Sequence, residues 1–342
     1  MKEFIKRAVE SDVPFLFWGA PGTGKTARIT AQAKEEQVRL EVLIGAVLDP
    51  TDMGRPVVTE NDDVKLVPPP WARRLKNAVD QGKKAWLFLD ELTTSPPAIQ
   101  NAFLRIVQER QVADIDLSSV RIIAAANPQE YTVDSTELSP AFLNRWVHVD
   151  WEVDKDEWIQ GELSGWGNPD KKLASIRALV TSFIDYNPSA LLDPPSEYTE
   201  NLRGWPSPRS WSNLITALEN CDVLKTKQGR RIVNGALGAG VGGEFIAWAM
   251  DQTLPKPFDL LTGKEKLPDR GDRAHLAMMA TISYALAHQE HLENLWKVCL
   301  DQRDDLVVVS GKRAMQACKQ AGIDPSLTAH MKKIIDKFKE MQ

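Results

Sequence analysis

Gly19-Ala20-Pro21-Gly22-Thr23-Gly24-Lys25-Thr26 satisfies the phosphate-loop pattern G-x-x-x-x-G-K-[ST]. The apolar run Val13-Pro14-Phe15-Leu16-Phe17-Trp18 stands directly before it, and a segment of helical spacing, Ala27 to Glu36, follows. The octet therefore reads as a strand-to-helix turn. Glycines let successive backbone N–H groups turn inward around phosphate oxygens, and the following helix aims its positive end at the same point. In that arrangement Gly19, Ala20, Pro21, Gly22, Thr23 and Gly24 form the cradle and Ala27 belongs to the helix start. Lys25 bridges the outer phosphates and the Thr26 hydroxyl ligates Mg²⁺. The bland reading, a Gly-rich turn with an exposed lysine, leaves the flanking strand and helix unexplained.

Four more short β-branched or aromatic runs lie outward from the loop: Leu40-Glu41-Val42-Leu43-Ile44, Ala85-Trp86-Leu87-Phe88-Leu89, Val120-Arg121-Ile122-Ile123-Ala124-Ala125-Ala126 and Trp146-Val147-His148-Val149. With helical spacing between them, five near-continuous apolar strands predict a parallel sheet buried on both faces, an α/β P-loop sheet with helices on both sides. Beyond Trp151 the strand signal fades. Apolar residues at helical spacing predict helices near Asp170 to Tyr186, Pro208 to Asp222, Gly229 to Gln252, Asp272 to His288, Glu290 to Asp301 and Pro325 to Met341. Between the second and third strands, Pro56-Val57-Val58-Thr59 and Val64-Lys65-Leu66-Val67 flank the polar turn Glu60-Asn61-Asp62-Asp63, which predicts an inserted β-hairpin. Asn187 to Ser207, rich in Pro, Ser and Asn, predicts a long loop.

The 342 residues suggest about two domains, and 43% apolar with 26% charged residues is ordinary globular composition, which excludes disorder over the whole chain. No run approaches the roughly 18 to 20 apolar residues of a membrane span, and Met1 to Glu10 is charged rather than an apolar signal core, so a cytoplasmic protein is expected. The net charge of −5 lacks the global basic field of non-specific nucleic-acid binding. Cys221, Cys299 and Cys318 are far apart and form no C-x-x-C pair, and they read as reduced core thiols. The five histidines, His288 and His291 among them, lack a ligand pattern for a transition metal. Eleven tryptophans, including Trp71, Trp86, Trp205 and Trp211 near the motifs, read as core anchors.

The third strand ends in Asp90-Glu91. A strand-end aspartate beside a phosphate loop can hold Mg²⁺ through water, and the adjacent carboxylate can polarise the water that attacks a γ-phosphate. The fourth strand ends in Asn127, whose amide could orient that water; a turn-forming Asn before Pro128 is the rival reading on local grounds.

Taken with Ser95-Pro96-Pro97-Ala98-Ile99-Gln100-Asn101-Ala102-Phe103-Leu104, Gln108 to Val112, Ala125-Ala126-Asn127-Pro128 and Leu138 to Trp146, these motifs resemble the MoxR-type branch of AAA+ ATPases over residues 12 to 150. The likeness resumes at Pro206-Ser207-Pro208-Arg209-Ser210-Trp211, similar to the second sensor of the helical lid, and the hairpin sits where this branch carries its helix-2 insert. The resemblance implies that Lys25 and Thr26 are Walker A, Asp90 and Glu91 Walker B, Asn127 sensor 1, Arg209 sensor 2 and Arg145 an arginine finger acting on the neighbouring subunit. It implies ATP and Mg²⁺ as cofactors, with Thr26 and Asp90 at the metal, and a homo-oligomeric ring, expected to be a hexamer. It also implies coupling of hydrolysis to the remodelling or chaperone-like activation of a protein client, such as one with a von Willebrand factor A-like domain. The implied domains are a core over 1–151 with the hairpin near 54–68, a lid over 152–235 and a helical C-terminal region over 236–342. Asn144 and Trp146 depart from the family's Asp and usual aromatic around the finger, without removing a group the chemistry needs.

Three other classes of function compete. A nucleic-acid-directed AAA+ motor is opposed by the acidic hairpin tip. A small-molecule phosphotransferase fits Glu91, Asn127, Arg145 and Arg209 less well than water attack does, and a slowly hydrolysing nucleotide-gated scaffold shares every motif. Arg110 could reach a subunit boundary but reads as a surface residue at a charged helix end, and the pair Arg73-Arg74 carries no assigned role.

Overall fold

The computed structural model describes residues 1–131, 136–168, 170–195, 203–219, 226–250, 255–302, 304–324 and 329–340. These fall into two units, the first spanning Met1–Glu152 and the second beginning at Val153.

The first unit holds β1 (Phe15–Trp18), β2 (Arg39–Ile44), β3 (Arg55–Val58), β4 (Val64–Val67), β5 (Ala85–Asp90), β6 (Gln111–Val112), β7 (Ile115–Asp116), β8 (Arg121–Ala126) and β9 (Val147–Asp150). Its helices are α1 (Lys2–Ser11), α2 (Lys25–Glu35), α3 (Pro70–Asp80), α4 (Pro97–Glu109) and the single turn α5 (Pro140–Leu143). The main sheet runs β2-β5-β8-β1-β9 with every pair parallel. It is the α/β P-loop sheet that the apolar runs predict.

Side chains alternate across a strand, and here the alternation divides two cores. Phe15, Phe17, Trp86, Phe88, Ile123 and Ala125 face α1 and α2, burying Ile5, Ala8, Ile29 and Ala33. Leu16, Leu87, Leu89, Ile122, Ala124 and Ala126 face the other way, onto Trp71 and Leu75 of α3 and Ile99 and Phe103 of α4. Strands buried on both sides must read as apolar throughout, which is why no polar residue interrupts Trp86-Leu87-Phe88-Leu89.

The antiparallel hairpin β3–β4 pairs Val58 with Val64 and Pro56 with Leu66. Val57, Val58 and Val64 are exposed on it. At its base, Gly54 has φ +148°, and a Cβ there would meet Leu66 Cγ at 2.9 Å. A second, two-residue hairpin, β6–β7, has no counterpart among the predicted elements because strands this short carry no periodicity.

The second unit is helical: α6 (Lys155–Leu163), α7 (Ala174–Tyr186), α8 (Pro208–Ala217), α9 (Lys227–Leu237), α10 (Ala239–Met250), α11 (Pro257–Leu261), α12 (Gly271–Ala287), α13 (Leu292–Leu300), α14 (Asp304–Gln320) and α15 (Ala329–Glu340). One hydrophobic cluster runs from Trp158 through Phe183, Trp211, Phe245 and Trp296 to Ile334. The single helix predicted over Gly229 to Gln252 is two helices. Gly238 takes φ +77° and donates its N–H to Asn234 O at 3.0 Å, ending α9 with a left-handed residue. Asp185 on α7 accepts from Lys155 at 2.9 Å and Arg313 at 2.8 Å and meets His275 at 2.9 Å. Burial alone would raise its pKa, but the hydrogen bonds from His275 and Lys155 and the charge of Arg313 hold it well below the usual carboxylate range. Burial pushes the Cys299 and Cys318 thiols up to about 12; Cys221 lies outside the described residues. Among the described residues no helix is long and apolar enough to cross a membrane.

Candidate active site

The loop after β1 is shaped by backbone geometry. Gly19 N–H donates to Ala126 O at 3.2 Å, which ties the first loop residue to the end of β8. Gly22 and Gly24 take φ +81° and +89°, a region open to glycine at little cost. A Cβ on Gly24 would meet nothing within 4 Å, so it is the backbone angle, not space, that asks for glycine there. The helix α2 starts at Lys25 with no side-chain cap and no acidic residue in its first turn. Its leading N–H groups and dipole are thus available to an anion.

Lys25 is 7% exposed. A buried ammonium without acceptors is costly; this one donates to Gly19 O at 2.7 Å, Ala20 O at 3.0 Å and Asn127 Oδ1 at 2.9 Å. The Thr26 hydroxyl donates to Asp90 Oδ2, and Asp90 Oδ1 accepts the Glu91 N–H at 2.9 Å. The strand order brings the ends of β1, β8 and β5 side by side. The structure thus forms two hydrogen-bonded pairs, Lys25 with Asn127 and Thr26 with Asp90, set side by side because Lys25 and Thr26 are chain neighbours and spanning as many as 102 positions in sequence.

Glu91 sits at φ 57°, an uncommon conformation for a residue with a Cβ. Its carbonyl accepts from Thr94 Oγ1 at 3.1 Å and Ser95 Oγ at 3.0 Å, which holds the turn, while its carboxylate has no hydrogen-bond partner among the described residues. Pro21 is half-buried, Ala20 and Thr23 are buried and Ala27 is exposed on the first turn of α2.

Arg145 lies elsewhere. Strands β1 and β9 run parallel with Phe15 opposite Val147 and Trp18 opposite Asp150. Arg145 therefore stands at the starting end of the sheet, whereas the loop leaves the finishing end, a four-residue strand or about 13 Å away. Its guanidinium donates to Ala141 O and, at 2.8 Å, to Gln108 Oε1. Arg209 belongs to the helical unit, exposed on the first turn of α8, where Ser207 caps the Ser210 N–H at 3.1 Å.

Two residues of the site escape the sequence reading. Thr93 donates its hydroxyl to Asn127 O at 3.0 Å and accepts the Asn127 N–H at 3.3 Å, clamping the turn after β5 to the end of β8. Its place two residues after Glu91 is the signal that could have found it. Trp151 donates its indole N–H to Thr23 O at 3.2 Å, and nothing in its local sequence indicates this. Arg110, read from sequence as a surface residue, is half-buried: it takes φ 52° and donates to Val120 O at 3.1 Å and Asp12 O at 3.3 Å. Burial pushes the pKa of its guanidinium below the usual range. Arg74 makes a bidentate pair with Glu41 at 2.8 and 2.7 Å.

The donor set suits a triphosphate with a hard cation. A hydroxyl and a carboxylate already in contact offer oxygen ligands of the kind Mg²⁺ takes, beside a buried ammonium and an uncapped helix start.

Residues 14–146 match the family described as AAA domain, dynein-related subfamily. Among solved structures, a candidate ATPase of Cytophaga hutchinsonii is 14% identical, with 98% of this chain and 88% of that chain covered, at a TM-score of 0.33. Two variants of Thermotoga maritima RuvB are each 14% identical. The match to one covers 85% of this chain and 87% of that one at a TM-score of 0.36, and to the other 97% and 86% at 0.34. At such scores the fold rests on the chain's own strand order and loop geometry. Residues 14–146 carry an AAA domain.

Proposed function

We propose that the chain is a Mg²⁺-dependent ATPase of the MoxR type that couples hydrolysis to the remodelling of a protein partner, working as a homo-oligomeric ring of six. The observation that carries this reading is the convergence of two hydrogen-bonded pairs, Lys25 with Asn127 and Thr26 with Asp90, beside an uncapped helix start. Lys25 exchanges its carbonyl acceptors for the outer phosphates of ATP. Thr26 and Asp90 would hold Mg²⁺, whose charge would offset that of the phosphates. Glu91 polarises the lytic water, and Asn127, released as Lys25 turns to the nucleotide, orients it. Water attacks the γ-phosphorus, the bond to the bridging oxygen breaks, and ADP and inorganic phosphate leave.

Arg145 completes the site of a neighbouring copy, a role that its position at the starting end of the sheet supports, since it is remote from its own loop. Arg209 serves as the second sensor of a lid over residues 152–235, with 236–342 and the inserted hairpin passing the movement to a client, for which a von Willebrand factor A-like domain is the expected type. A cytoplasmic location goes with this reading.

The test is phosphate release with ATP and Mg²⁺ for the wild type and for Glu91→Gln. The substitution is expected to keep ATP binding within about twofold and to lower release by about 10² to 10⁴-fold, the range for removal of a general base. Wild-type turnover in Glu91→Gln, or no release from the wild type under any condition that permits ATP binding, contradicts the reading.

A further inference from the structure

One residue outside every recognised motif touches the phosphate loop at two points and the strand before it at a third. Trp151 follows β9 and continues its pairing with β1, donating its backbone N–H to Trp18 O at 2.5 Å. Its Cβ lies where a Cβ on Gly19 would come within 2.8 Å, so the loop's first residue is pressed against it. Its indole N–H reaches the middle of the loop, at Thr23 O. The ring is fixed from behind by Phe17, edge-on at 5.6 Å and 89°. Trp151 and Thr23 are both buried.

The direction of that last bond bears on phosphate binding. In a trans peptide the carbonyl and the following N–H point to opposite sides, and none of the described peptide bonds is cis. An indole that holds the Thr23 carbonyl toward itself therefore holds the Gly24 N–H away from itself. On its other side Gly24 is held by α2, its carbonyl accepting the Arg28 N–H at 2.9 Å, so the Trp151 bond fixes the one peptide of this stretch that the helix does not. The loop's own bonds brace other points: the Thr23 hydroxyl donates to Ala20 O at 2.7 Å, and Lys25 holds Gly19 O and Ala20 O.

We infer that Trp151 is a positioning residue of the phosphate loop: by anchoring the Thr23 carbonyl it sets the Gly24 N–H toward the polyphosphate of a bound nucleotide. The inference rests on the nucleotide-site reading above. It gives the loop a brace from the last stretch of chain before the helical unit, which begins at Val153. It also accounts for a tryptophan, rather than any apolar residue, at the end of the edge strand: the site needs a flat apolar face against Gly19 and Phe17 and an N–H on its rim.

The experiment uses the full chain, with Trp151→Phe keeping an aromatic ring and losing the donor. Trp146→Phe serves as control, since that indole N–H has no partner among the described residues and the ring is equally buried. ADP affinity is read by calorimetry, and unfolding midpoints are read with and without ADP. Trp151→Phe is expected to weaken ADP about five- to tenfold, the worth of one hydrogen bond. Its midpoint without ADP should stay near that of the wild type while the rise produced by ADP shrinks, and Trp146→Phe should bind as the wild type does. Wild-type affinity in Trp151→Phe overturns the inference and leaves the nucleotide site standing. So does a midpoint lowered equally with and without ADP, or failure of the variant to fold, since either makes Trp151 a packing residue. Absence of ADP binding by the wild type overturns both readings.

Discussion

The two ends of the central sheet treat their charged residues in opposite ways. At the starting ends of the strands, the charges are spent on one another and on the backbone. Arg121 at the head of β8 pairs with Asp12 at 2.6 Å and donates to Val9 O at 3.0 Å, and Arg110 donates to Val120 O and Asp12 O. At the finishing ends, Lys25 is held by loop carbonyls and an amide, and the Glu91 carboxylate has no hydrogen-bond partner among the described residues. Neutral carbonyl and amide acceptors such as these can be exchanged for the charged oxygens of a polyphosphate, to which an ammonium binds more strongly. One end therefore staples α1 and α4 to the sheet, and the other is left able to exchange partners. This is the end at which parallel α/β sheets receive ligands.

Substitutions at the two ends should separate function from stability. Thr93→Val keeps the shape of the clamp and removes both of its bonds to Asn127. Turnover should fall about tenfold, with nucleotide affinity within about twofold of the wild type, because the bonds orient Asn127 and do not touch the loop. Steady-state phosphate release set beside ADP titration checks this, and unchanged turnover would break the contrast. Arg121→Ala should do the reverse. Loss of a partly exposed ion pair and one backbone bond should lower the denaturant-derived stability by about 1 kcal/mol without altering nucleotide affinity. A weakened affinity there would mean that the starting end communicates with the site.

This division is legible in the sequence only in part, and locality explains which part. The phosphate loop, Asp90-Glu91 and Asn127 can be read because each is a short pattern at the end of an apolar run, and the sheet order then brings them together. The clamp of Thr93 on Asn127 spans 34 positions and the brace of Trp151 on Thr23 spans 128, so neither leaves a local trace. Arg110 reads as a solvated helix end because its partner Asp12 is 98 positions away. In the helical unit, α6 escapes for a different reason. Trp158 through Leu163 are buried all round, and a helix with no wet face shows no amphipathic period. Gly238, by contrast, breaks a predicted helix through its own left-handed backbone, a choice that glycine permits but does not announce.

An ATP site completed by a second copy makes its sharpest demand on phosphate release per protomer, measured across a range of protein concentrations for the wild type and for Arg145→Ala. Activity per protomer should climb with concentration. Arg145→Ala should lose about 10³-fold or more in release while ATP remains bound, as when a finger supplied in trans is removed. Activity per protomer that is flat with concentration and indifferent to Arg145 would contradict the shared site.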